Sequence, residues 1–541
     1  MKRLLFVCFV AFSLVACQFV EEDSFESPSP SSATITPSNS ASFSVSSNSE
    51  IYTVDASVAS VTLSGDISGK NLYYAMVNTS SNEISGKYVR YIVSQNARSA
   101  AVVSRNITHD THSHDDEEFF TCHHEDDITP VFSASSARAA ASEPVRKAHR
   151  IEEVPFESKK TFFLSEYKDA SVKKSATLYA VNEICNVWIV DDEKYIPQSK
   201  RKEVAETYAQ KFAKMHPVVC KVFGKESDLI YVTSDGDFAS MNEFSETGTK
   251  VNIVMYDLYN DGISGKVIGM FSNRDYFKNG LTVSGNEIDS SNEGKYLYID
   301  SYLATKNLEY TLSTIAHEFQ HMINFSVKAM NQQASDSNFN EMLSMLCEDM
   351  MQEYLNVQDA YTPKNRLRRF LSHYYDAGIR GQATSLQSYS NAYAFGAWLA
   401  RQYGGAALIK EMMSNGKANN ECIAAAVSAI EGRAFTFDDL FQEFIAACFD
   451  GELSARNRDA PQTIRSEDGY DYPMRNINLT EITNLDETMT IFENDAITEI
   501  APSYGIFLKT FGEIDGNTVT LSFNSDSGKT NSSLLMYIYV K

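Results

Sequence analysis

The run His317-Glu318-Phe319-Gln320-His321 has the spacing H-E-x-x-H, and Asn340-Glu341 follows after eighteen intervening residues. Residues four apart on a helix share a face, so His317 and His321 can direct two imidazoles at one divalent cation. Glu341 can supply a third ligand and leave a fourth position open. That vacancy belongs to a catalytic zinc site rather than a closed structural one. Glu318 projects near the same face and is the residue type that takes a proton from zinc-bound water. The plain alternative is an amphipathic helix with two surface histidines. With ten His in 541 residues, chance produces the five-residue pattern in about one such chain in a hundred.

Two elements must position these side chains. Leu312, Ile315, Phe319, Met322 and Ile323 form an apolar stripe at helical spacing, and the two histidines lie beside it. Phe339, Met342, Leu343, Leu346 and Met350 form a second stripe, with Glu341 and Glu348 seven residues apart on a face away from it. Two packed helices then offer His, His and Glu to one point.

The pattern H-E-F-Q-H followed by Asn340-Glu341-Met342-Leu343-Ser344, with Glu348 beyond, resembles the gluzincin metallopeptidases. Tyr393-Ala-Phe-Gly396-Ala-Trp-Leu399 is similar to a stretch of gluzincin aminopeptidases whose Tyr hydrogen-bonds the tetrahedral intermediate. Together with Ile253-Val-Met-Tyr-Asp257 and Gln402-Tyr-Gly-Gly405, residues 180–450 look most like the hyicolysin-like bacterial peptidases. The resemblance implies an α+β, thermolysin-like zinc peptidase domain, with one catalytic Zn2+ on His317, His321 and Glu341. Glu318 would be the base and Tyr393 the oxyanion donor. Tyr393 also fits a core aromatic in an apolar helix, and Tyr389 and His373 are substitutes for the role. Thermolysin-like enzymes carry Asp four residues after the ligand Glu, whereas this chain has Met345, so the partner of a ligand imidazole must come from elsewhere.

A chain of 541 residues exceeds a single core. The formal net charge of −24 argues against a nucleic acid partner, because no basic face is visible. Lys2-Arg3 precede a short apolar run, Leu4 to Ala16, that suits a signal peptide but not a membrane span. The run ends Leu14-Val-Ala-Cys17, similar to the processing site of bacterial lipoproteins, in which the Cys is lipidated. This implies anchoring to the cell envelope, at the outer membrane or cell surface, with the membrane as a partner. Residues 18–50 read as a Ser/Pro-rich tether, 51–159 as an N-terminal β domain, 160–460 as the peptidase domain and 461–541 as a C-terminal β domain. Both β domains are expected to be β-sandwiches flanking the peptidase.

Four further features carry expectations. An insertion at 104–150 gathers His109, His112, His114, His123 and His124 among acids around Cys122, which suits either a solvated segment or a weak metal-binding loop. Asp257-Leu-Tyr-Asn-Asp261-Gly262 hints at Ca2+, though its spacing is not that of an EF-hand and a plain turn fits as well. The substrate backbone, in gluzincins, adds to a sheet edge. Gly269–Ser272 and Tyr296–Tyr302 are both candidates for that edge. The cysteines of an exported chain are free to pair, but no spacing dictates a pairing. The expected activity is hydrolysis of peptide bonds in protein or peptide substrates. The competing expectation is a surface adhesin displayed on a peptidase-like scaffold.

Overall fold

The computed structural model describes residues 39–46, 50–55, 58–85, 97–98, 154–166, 170–262, 267–381, 383, 385–451, 453, 469–479, 500–522 and 534–541. Cys17 and the His-rich insertion lie outside them.

The first strands are β1 (Asn39–Val45), β2 (Glu50–Asp55), β3 (Val58–Gly65) and β4 (Asn71–Asn78). The peptidase sheet follows with β5 (Lys159–Glu166), β6 (Ala170–Val181) and β7 (Cys185–Val190). Helix α1 (Arg201–Phe223) comes next, then β8 (Val251–Tyr256), β9 (Gly269–Phe271) and β10 (Lys295–Asp300). The two zinc-motif helices are α2 (Leu308–Val327) and α3 (Ser337–Leu355). A helical region continues through α4 (Leu386–Gln402), α5 (Ala406–Ser414), α6 (Asn419–Glu431) and α7 (Phe437–Asp450). Strands β11 (Ile506–Ile514), β12 (Thr518–Ser522) and β13 (Leu534–Val540) complete the described chain.

The peptidase sheet has six strands in the order β9-β10-β8-β7-β6-β5. Its centre is parallel, β8 pairing with β7 and with β10, and both ends are antiparallel. Every residue of β7, β8 and β10 is buried, which explains why these strands read as mostly apolar runs: both faces are covered. Val187, Ile189, Ile253, Met255, Leu297 and Ile299 join the core shared with the helices. The alternate residues Trp188, Val190, Val254, Tyr256, Tyr296 and Tyr298 pack into a separate cluster on the other face. Leu229–Tyr231 also forms a strand, which pairs with Phe238–Ser240 outside this sheet.

The two edge-strand candidates separate cleanly. β9 is the terminal strand, while Tyr296–Tyr302 begins on β10, between β9 and β8. Gly269 on β9 lies against α2: a Cβ there would fall 2.4 Å from Thr314 Cγ2 and 3.0 Å from Glu318 Cγ. No real side chain fits that space. Gly269→Ala is therefore expected to push the strand off the helix while α2 and α3 keep their metal. A displacement of this size lowers kcat/KM by about 10²-fold. Metal analysis beside steady-state kinetics checks this, and wild-type kinetics would contradict it.

The β domains expected at the two ends are not separate. β4 lies between β13 and β11 in one sheet, which also carries β2, and β3 lies between β1 and β12 in another. N- and C-terminal strands thus share one core, containing Val61, Leu63, Leu72, Met76, Val519, Leu521, Met536 and Ile538. The outer part of the expected tether belongs to it as well. Asn39–Val45 forms β1 in parallel with β3, because Val45 has an apolar core to enter. This β unit rests on α7, where Phe449 meets Tyr73 and Tyr539, and Phe437 and Phe441 meet Tyr504.

Candidate active site

Helix α2 is capped by Asn307, whose side chain accepts from Tyr310 N, and is buried without a break from Thr311 to Ser326. A helix buried all round must find partners for its polar side chains. Helix α3 supplies them. Asp336 caps its start, accepting from Phe339 N at 2.8 Å and pairing with Arg380, and Asn356 closes its end in the left-handed region at φ 60°. Asn324 donates to Asn340 at 2.8 Å, and Ser344 donates to Gln320 at 2.5 Å.

The same helix pair orients the ligand imidazoles. His317 Nδ1 meets Glu348 Oε1 at 2.7 Å, and His321 Nδ1 meets Ser344 Oγ at 2.9 Å. One step of four residues back along α2 matches one of four forward along α3, as antiparallel helices require. Ser313 donates to the other oxygen of Glu348 at 2.6 Å, fixing that carboxylate in turn. With both Nδ1 atoms engaged, both Nε2 atoms face Glu341. His317 Nε2 is 3.1 Å from Glu341 Oε2, and His321 Nε2 is 3.6 Å from Oε1. Donor atoms of the three residues lie within 4.8 Å of one another, and all three residues are buried. Two imidazole Nε2 atoms and a carboxylate, each imidazole backed by a hydrogen bond at its other nitrogen, fit a catalytic zinc.

Glu348 thus takes the place of the Asp expected where Met345 stands. A longer carboxylate two turns beyond the ligand reaches the ring that a shorter one reaches from one turn. Glu348→Gln is expected to weaken metal binding about 10–100-fold. Competition against a chelator of known affinity measures this, and unchanged affinity would remove Glu348 from the site.

Glu318 is fully buried, and a Cβ built on Gly269 would come within 3.3 Å of its Oε1. The carboxylate therefore lies between the metal helix and the edge strand. Tyr393 is placed differently from the oxyanion role expected of it. Its hydroxyl, fully buried, donates to Asp349 Oδ2 at 3.1 Å, and Arg401 Nη2 donates to the same oxygen at 2.8 Å. A hydroxyl inside an apolar helix packing needs a partner, and Asp349 provides one. Burial and then the Asp349 charge push the Tyr393 hydroxyl well above the ordinary tyrosine range. The Tyr389 ring lies 5.1 Å from the Arg366 guanidinium, and His373 pairs with Ser372 at 2.7 Å.

The segment that hinted at calcium brings Asp257 and Asp261 together with Asp300. Its hydrogen bonds are those of a turn. Gly262 N donates to Asp257, while Leu258 N and Leu303 N donate to Asp300, and Lys194 lies 3.3 Å from Asp257. Burial, with the Asp261 and Asp257 charges added, pushes Asp300 up to about 7. Cys185, Cys220, Cys347, Cys422 and Cys448 are free thiols.

Comparison with known proteins agrees with this geometry. The neutral metalloprotease ShpI of Staphylococcus hyicus is 26% identical over 262 residues, 45% of this chain and 51% of the relative. The chain therefore spans about half the length of the curated relative it matches. The model of the family described as Peptidase M30 matches residues 168–522. That stretch contains both zinc-motif helices and runs past residue 460, where the peptidase domain was expected to end, through β11 and β12. This bears out the hyicolysin-like resemblance, and the chain belongs to the peptidase M30 family.

Proposed function

We propose that the chain is a zinc-dependent endopeptidase held at the bacterial cell envelope by a lipid on Cys17. The observation that carries the peptidase reading is the convergence of His317, His321 and Glu341, with each ligand imidazole locked through its Nδ1. When bound there, zinc supplies Lewis acidity and brings the pKa of bound water down toward ~7. Glu318 accepts the proton of the attacking water at its carboxylate and delivers it to the leaving amine. Glu348 and Ser344 hold the imidazoles in the tautomer that turns Nε2 inward. β9, the terminal strand of the sheet, receives the substrate backbone as an added strand, next to Glu318. Gly269 keeps that approach close.

The adhesin reading has less support, since a binding module has no need of a buried carboxylate beside its metal ligands. Casein turnover that a chelator abolishes and added zinc restores is the expected result. Casein binding without turnover would favour the adhesin. Among the described residues no helix is long and apolar enough to cross a membrane; the proposed anchor rests on the run Leu14-Val-Ala-Cys17. In a host that processes lipoproteins, Cys17→Ala is expected to move the protein from the membrane fraction to the soluble one. Unchanged membrane retention would contradict the anchor.

A further inference from the structure

A second set of metal-binding side chains meets at the end of α1. His216 and Cys220 are four residues apart on that helix and share a face. The chain then turns at Gly224, φ 95°, and brings Glu226 back to them. His216 Nε2 lies 3.1 and 3.2 Å from the two Glu226 oxygens, and Cys220 Sγ lies 3.7 Å from both His216 Nε2 and Glu226 Oε2. A tetrahedral zinc with nitrogen and oxygen ligands at about 2.0–2.1 Å and sulfur at about 2.3 Å spaces those ligands about 3.3–3.6 Å apart. The edges observed here, from 3.1 to 3.7 Å, bracket that range, as the 3.1 and 3.6 Å edges of the catalytic group come close to it.

The surrounding charge suits a divalent cation. Lys295, buried, contacts Glu226 Oε1 at 3.2 Å and Asp228 Oδ1 at 2.6 Å, leaving Glu226 Oε2 toward Cys220. A divalent ion and the buried Lys295 ammonium face the Cys220 thiolate and the Glu226 and Asp228 carboxylates, with His216 neutral and Lys225 also pairing with Asp228 at 3.3 Å. The His216 side chain keeps 12% exposure, which leaves room for a water as fourth ligand.

We propose that His216, Cys220 and Glu226 bind a second zinc ion, which pins the turn after α1 back onto the helix. As the metal binds, the Cys220 thiol releases its proton to solvent and the sulfur bonds to the ion. The His216 ring lies 5.0 Å from that of Phe319, inside the H-E-x-x-H run, so this site also buttresses the catalytic helix.

Cobalt(II) reconstitution of the metal-free full chain tests the assignment, because the catalytic ligands contain no sulfur. The wild type is expected to hold about two cobalt ions per chain and to show a near-ultraviolet thiolate-to-cobalt charge-transfer band. The band should persist in Glu318→Gln and Cys122→Ser, vanish in Cys220→Ser and weaken in His216→Gln, with Cys220→Ser retaining about one cobalt. A wild type without the band, or a band that survives Cys220→Ser, would overturn the proposal. So would a band that disappears only with Cys122. Should Cys220→Ser fail to fold, alkylation of the zinc-loaded wild type decides. Cys220 should be protected until a chelator is added, and equal labelling before and after would overturn the site.

Discussion

Glu318→Gln is expected to keep the metal and the fold and to lower kcat/KM by about 10²–10⁴-fold, the usual contribution of a positioned general base. The replacement is isosteric and Glu318 is fully buried, so a loss of this size cannot come from a change of shape. Gln can neither accept the proton of the attacking water nor return it to the leaving amine. Metal analysis and peptide turnover on the same preparation check the prediction. Turnover within a few-fold of wild type would take the base role from Glu318. Loss of metal along with activity would show that the carboxylate acts through the ligand set.

The largest expected effect on stability lies next to the site. Asp349 and Arg401 are both buried and joined at 2.8 Å, and Arg401 also donates to Arg475 O at 2.6 Å and Ala397 O at 3.2 Å. Asp349→Ala strands the guanidinium charge in the interior, which costs about 3–5 kcal/mol. Urea unfolding of the zinc-loaded protein should register that loss, and Asp349→Asn, which keeps an acceptor, should lose less. Tyr393→Phe removes only one hydrogen bond of the cluster. It should cost about 0.5–1.5 kcal/mol and leave kcat unchanged. A fall in kcat of about 10²–10³-fold in Tyr393→Phe would restore that hydroxyl to the oxyanion.

These outcomes separate what sequence patterns carry from what they do not. The ligand pair His317 and His321 is legible because its geometry is internal to one helix, and Glu341 because its own helix announces itself through Phe339, Met342 and Leu346. The strands at 187–190, 251–256 and 296–299 are legible because a strand covered on both faces is apolar at nearly every position. Glu348 was visible on the face of Glu341, but its partner depends on how α3 docks on α2, and that register is written in no local spacing. Tyr393 misleads for a related reason. The apolar helix around it is plain, whereas the carboxylate that claims its hydroxyl belongs to another helix. Strand pairing is the hardest case. Nothing near β4 indicates that its neighbours are β11 and β13 from the far end of the chain, so the alternation at the two ends reads as two domains. The seven-residue run of β1 has the composition of a tether, and it becomes a strand because Phe43 and Val45 find something to pack against.

The central claim is that His317, His321 and Glu341 hold one metal ion on which turnover depends. Anomalous diffraction from crystals of the full chain, recorded on both sides of the zinc absorption edge, addresses it directly and distinguishes this position from that of Cys220. A peak bounded by His317 Nε2, His321 Nε2 and the Glu341 carboxylate, absent from crystals of an inactive His321→Ala variant, is the predicted result. Active, zinc-loaded protein with no anomalous density among those three side chains would contradict it.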